Sequence, residues 1–108
     1  MRILLAVLAT SGLFGHVSRG PTQPVCMEGK ACSAPVVGAQ IQFSRNGVLA
    51  AKALTGPAGG YRVTLRPGAY LVQLLRNGKP MLRFGPQYVK VPTGAAIRVD
   101  FAIDTGIR

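Results

Sequence analysis

From residue 38 onward, apolar and polar side chains alternate in short bursts separated by glycine and proline. In "GAQIQFSR" (38–45), Ala39, Ile41 and Phe43 alternate with Gln40, Gln42 and Ser44, the period of two that marks a strand with one face in a core. Asn46-Gly47 follows at once, the pair best able to supply the two positive φ angles of a type I′ hairpin turn, which makes "VLAAKALT" its returning partner. After the flexible turn "TGPAGG", the segment "YRVTLR" sets Tyr61, Val63 and Leu65 against Arg62, Thr64 and Arg66. Pro67-Gly68 fits the central positions of a type II turn, reversing the chain into "AYLVQLLR", where Tyr70, Val72 and Leu74 share a face. Asn77-Gly78 and Lys79-Pro80 break the pattern again before "QYVKV" and "AIRVDFAI", the latter placing Ile97, Val99, Phe101 and Ile103 on one side. With a short first strand at "GHVSR", this gives about seven strands and no amphipathic helical stretch between them. The expected fold is all-β, a seven-stranded antiparallel β-sandwich of the transthyretin-like or immunoglobulin-like kind. Nothing in the pattern encodes closure into a barrel.

The start of the chain reads differently. In "MRILLAVLATSGLFG" one positive residue, Arg2, precedes an apolar run from Ile3 to Phe14, the form of a secretory signal. As a helix those residues would span about 18 Å, short of a hydrocarbon core of about 30 Å, so a transmembrane anchor is not expected. The expected division is a signal peptide at residues 1–14 and one domain at 15–108. A chain of 108 residues with 48% hydrophobic content suits a single packed domain. With no Trp, 4 Phe and 3 Tyr, most of that core must be aliphatic.

Export gives the cysteines meaning. Cys26 and Cys32 lie in "PVCMEGKACSAP", and an even count in a small exported domain favours a disulfide. Closing so short a loop would contribute about 2.4 kcal/mol on the chain-entropy estimate. Free thiols, or a metal site completed by His16, are the alternatives; two thiols and one distant imidazole match no standard zinc spacing.

Ten of these residues carry a family resemblance: Gly38 and Ala39 opening an apolar strand, Thr55 and Gly59 in the turn before Tyr61 and Val63, and Pro67-Gly68 followed by Tyr70 and Val72. The pattern resembles the carboxypeptidase regulatory-like domains, related in fold to transthyretin (prealbumin), and the ending "VDFAIDTGIR" with the paired-Cys loop resembles small exported bacterial proteins that carry the domain alone. The resemblance is loose over residues 15–104 and good over 36–72. It departs at Gly56, where the family has an acidic residue, implying a looser turn. It implies an accessory or surface module; fold alone does not give function. Two enzyme groups on related sandwiches fit poorly: hydroxyisourate hydrolases need several His, and intradiol dioxygenases need two His and two Tyr on iron, whereas this chain has one His.

Candidate chemistry is sparse. The carboxylates are Glu28, Asp100 and Asp104, and no nucleophile elbow or phosphate-cradling glycine loop is present. Asp100 and Asp104 share a strand face, and His16 reads as a first-strand residue. The chain is therefore read as a non-enzyme without cofactor, catalytic residues or metal site. What stands out is the formal net charge of +10. Alternation sends Arg62, Arg66, Lys90 and Arg98, with Lys52, toward solvent; on one sheet they would form a face for anionic polymers, headgroups or acidic proteins. A basic surface also keeps a sandwich soluble and guards its edges. Nucleic acid is not expected, because export removes it and no aromatic residues interleave with the basic ones. The expected role is a secreted or cell-envelope binding or structural module whose partner is an anionic envelope polymer or another exported protein. The alternatives are an assembly subunit pairing through an edge strand and, further off, a transthyretin-like hydrolase.

Overall fold

The computed structural model describes residues 11–29 and 31–106. Eleven strands form two packed sheets: β1 (Gly12–Gly20), β2 (Ala34–Pro35), β3 (Gln40–Arg45), β4 (Val48–Leu54), β5 (Gly60–Thr64), β6 (Gly68–Arg76), β7 (Lys79–Met81), β8 (Phe84–Gly85), β9 (Tyr88–Val91), β10 (Ala96–Arg98) and β11 (Phe101–Asp104). The all-β sandwich is as expected; the count of seven is corrected to eleven. Three additions, β2, β7 and β8, are only two or three residues long, and "AIRVDFAI" divides into β10 and β11.

The first sheet is built around β1. Along one side of it lie β5 and then β2, along the other β10 and then β11, with β8 beyond β11. β1 runs parallel to both β10 and β11, so the sheet is mixed rather than purely antiparallel. The second sheet is antiparallel, in the order β4-β3-β6, with β7 and β9 sharing the far side of β6.

Alternation decides what each sheet buries. Ile41, Phe43, Leu74 and Val72 of the second sheet face Leu13, Val17, Phe101 and Ile103 of the first, all at most 5% exposed. Each such side chain contributes about 1.5–3 kcal/mol by leaving water. Tyr61 bridges the layers, its ring centroid 5.6 Å from that of Phe101 and 6.5 Å from that of Phe43.

The turns explain the connections. Asn46 and Gly47 have φ of 53° and 78°, the two positive angles of the type I′ hairpin that joins β3 to β4. Asn77 and Gly78 repeat this at 54° and 77°, making β6 and β7 a second hairpin. Pro67-Gly68 is different. It carries the chain from β5 in one sheet to β6 in the other, and Gly68 has φ of 149°, far from the roughly +80° of a type II turn. The crossing is held by the Tyr70 hydroxyl, which donates to the Arg66 carbonyl at 2.6 Å, a tyrosine corner. Nor is the turn at Gly56 loose: Gly56 N–H bonds the Gly60 carbonyl and Gly59 N–H bonds the Gly56 carbonyl, both at 2.9 Å.

The expected signal segment falls outside the described residues as far as Thr10. Ser11 to Phe14 are part of the sandwich. Leu13 is fully buried, and Gly12, Leu13 and Phe14 pair with Thr64, Val63 and Arg62 on one side and Ala96, Ile97 and Arg98 on the other. The domain thus takes in residues below the expected start at 15.

Candidate functional site

The four cations singled out from the sequence do not share one sheet. Arg62 and Arg98 are opposite Phe14 on β5 and β10, flanking it on the outer face of the first sheet. Lys90 sits on β9 opposite Ala69, on the outer face of the second. Arg66 belongs to the connection between the sheets. They lie instead in the half of the sandwich nearer the Asn46-Gly47 turn, the 65–68 connection and the 92–95 loop, here called the upper end, while Arg19, Arg76, Lys79 and Arg83 lie toward the other end. Arg45, which alternation left unmarked, joins them at the last position of β3.

Each cation has a different setting. Arg62 lays its guanidinium 5.6 Å from the centroid of the Phe14 ring, and Arg45 lies 5.8 Å from that of Tyr70, both cation–π contacts. Arg45 also donates to the Pro67 carbonyl at 3.3 Å. Arg98 is the one neutralised member, its Nε donating to both Asp100 carboxylate oxygens at 3.2 Å. Arg66, Lys90, Arg62 and Arg45 have no ion-pair partner among the described residues. Glu28 and Asp104 belong to the opposite, lower end.

His16, on the exposed side of β1, has ring Nδ1 at 3.4 Å from Arg98 Nη2. Asp100 does not address that ring: its Oδ1 accepts the His16 backbone N–H at 2.9 Å. This bond, and then those from Arg98, hold the Asp100 carboxyl below its ordinary value. Asp104 accepts the Gly106 N–H at 2.9 Å. Burial, helped by the Asp100 charge, pushes the Tyr61 phenol up; its hydroxyl donates to the Val99 carbonyl at 2.6 Å.

Three open grooves surround the upper end. One of about 440 Å³ is lined by Arg45, Ala50, Thr64, Leu65, Arg66 and Tyr70. A second of about 390 Å³ shares Arg45 and Tyr70 and adds Tyr88 and Leu71. A third of about 520 Å³ lies beside Lys90, between Pro67 and Ile97. Cations beside apolar walls can hold an anionic group that carries an apolar part.

Cys26 and Cys32 form a disulfide with Cα atoms 5.5 Å apart, settling the three alternatives in favour of the bridge. It staples an exposed loop at the lower end, away from Arg45, Arg62, Arg66 and Lys90. No group of three or more His, Cys, Asp or Glu side chains gathers among the described residues.

Fold and site together define a class: a small β-sandwich with one mixed and one antiparallel sheet, a stapled loop at one end and a groove lined by Arg45 and Arg66 at the other. No family model matches the chain, and no curated protein matches it.

Proposed function

We propose that the protein is a non-catalytic binding module of the exported, carboxypeptidase regulatory-like kind, acting outside the cell or at its envelope on anionic partners. One observation carries this reading: Arg45 and Arg66 line one groove at the upper end, Arg62 and Lys90 lie on the outer faces toward the same end, and none of the four has an ion-pair partner among the described residues. Grouped like charges repel one another, and so favour an anion among them more than the same charges dispersed would. The chain's ten-residue family pattern and its tyrosine corner support the kind of module; the leader-like first residues support export.

The test is retention of the purified protein on anionic envelope polymer and on anionic vesicles across a salt series. It is run beside an Arg62→Gln, Arg66→Gln, Lys90→Gln variant; Arg98 is kept because it already holds Asp100. Retention that falls with salt and is lost in the variant supports the reading. Equal behaviour of the two proteins, or no retention at low salt, overturns it.

A further inference from the structure

The upper-end cations have a neighbour that alternation alone does not explain. β4 has a single ladder partner, β3, among the described residues, so along its outer edge alternate N–H and C=O groups lack a strand to bond. Natural edges are usually blunted by charge, proline, shortness or a β-bulge, and the one irregularity of this edge is the register shift opposite Phe43 and Ser44. β4 is seven residues long, reads "VLAAKAL" with one charge, and leaves Val48 and Leu54 67% exposed and Leu49 46% exposed. β5, the neighbouring edge of the other sheet, joins β4 through the 55–59 turn at the lower end. Toward the upper end the two edges bound the 440 Å³ groove of Arg45, Ala50, Thr64, Leu65, Arg66 and Tyr70. An unpaired edge thus leads directly to two guanidinium groups.

We infer that this edge and groove form a docking site for an extended, apolar peptide segment with an acidic carboxyl end, added as a strand beside β4. This rests on the proposed reading of the upper end and names the partner class for it. Direction follows from the geometry. β4 runs from Val48 at the upper end to Leu54 at the lower, and antiparallel addition is the more stable pairing. The peptide therefore ends at the upper end, where its terminal carboxylate and an acidic side chain meet Arg45 and Arg66 in charge-assisted hydrogen bonds. Its alternate apolar side chains cover Leu49 and Leu54, which share the outer face with Lys52 through their pairing with Ser44, Gln40 and Gln42.

A second copy of the chain fits this edge poorly. Self-pairing centred on Ala51 sets the two Lys52 side chains diagonally on one face, and the two-fold axis sends each copy's Arg45 and Arg66 to opposite ends, still unneutralised. It also brings together two chains of formal charge +10. Charge selects an acidic partner.

The probe is a fluorescein-labelled peptide of alternating threonine and valine, about as long as β4, ending in two aspartates and a free carboxylate. Its control has the same residues in reverse order, with an amidated end. Binding to the purified protein is read by fluorescence anisotropy and mapped by amide hydrogen exchange. Expected are saturable binding, slower exchange confined to residues 48–54, and about tenfold weaker binding of both the control peptide and an Arg66→Gln protein. A Leu49→Lys, Leu54→Lys protein, altered only on an exposed face, is expected to lose binding while unfolding in urea like the parent. Equal binding of the two peptides, protection elsewhere, no binding, or self-association that protects β4 without peptide would each overturn the inference. If anionic polymer is still retained in that event, only the docking site fails; if retention is also absent, the reading of the upper end fails with it.

Discussion

Two tyrosines show how single side chains hold this sandwich together. Tyr70 and Tyr61 each bury a ring and send the hydroxyl to a backbone carbonyl, Arg66 and Val99 respectively, at 2.6 Å. The first fixes the crossing between sheets; the second ties β5 to the segment between β10 and β11. Replacing either by Phe leaves the packing and removes the donor, and is expected to cost about 1 kcal/mol in urea unfolding. Tyr61 also leaves a pH signature. Its phenol is held above the ordinary value of 10.0, so the unfolded chain ionises first, and the stabilisation present below that pH is lost as pH rises past it. The Tyr61→Phe protein should lose less stability above pH 10 than the parent. Asp100 gives the opposite sign. Its carboxyl is held below the ordinary 3.8 by the His16 N–H and by Arg98; its contribution is full above that value and fades as pH falls through and below it. The Asp100→Asn protein should therefore be less stable than the parent near neutral pH, by at most about 1 kcal/mol for so exposed a group, with the gap closing in acid.

At the scale of elements, alternation was a good guide to which residues are buried and a poor one to how strands pair. Ile41, Phe43, Tyr61, Val63, Tyr70, Val72 and Leu74 point inward as their period of two requires. The division of "AIRVDFAI" was hidden because its alternation never breaks: Ile97 and Val99 are partly buried and pack against the core that holds Phe101 and Ile103. What interrupts the ladder is a side chain, Asp100, taking the His16 N–H that a strand carbonyl would otherwise accept. Parallel pairing of β1 was likewise illegible, since register is not written in a single strand's pattern. At the N-terminus the sequence carries two signals at once. "GLF" continues an apolar leader-like run, yet Leu13 is a core residue. Leu13→Ala is expected to cost about 2–5 kcal/mol, and a chain begun at Gly15 should unfold at much lower urea than one begun at Ser11, because it lacks Gly12, Leu13 and Phe14, which make the β1 pairing with β10 and three of the five residue pairs with β5. Comparable stability of the two would contradict the pairing described here.

For the whole molecule, the decisive quantity is where charge sits rather than how much there is. Sequence alternation found Arg62, Arg66, Lys90 and Arg98 as exposed, but gathered them on a face; the sheet order divides them between two outer faces and the connection, all toward the upper end, and the turn geometry brings Arg45 beside Arg66. A cluster kept for binding has a thermodynamic consequence that dispersed solubilising charge lacks, because like charges held close in the folded state move apart on unfolding. Arg66 is the cleanest probe, since its side chain makes no hydrogen bond or ion pair among the described residues. Arg66→Gln is expected to leave stability unchanged or raise it by a few tenths of a kcal/mol at low salt, within the ordinary range of surface substitutions. Any such gain should shrink as salt screens the cluster over its Debye length of about 10 Å at 0.1 M. Lys79→Gln, at the lower end, is the comparison. Urea midpoints and retention on anionic polymer, both measured at low and moderate salt, separate the cases. A variant that holds its stability while losing retention identifies a charge maintained for a partner, whereas equal retention by the Arg66 and Lys79 variants would mean that the two ends are alike and that the charge serves solubility.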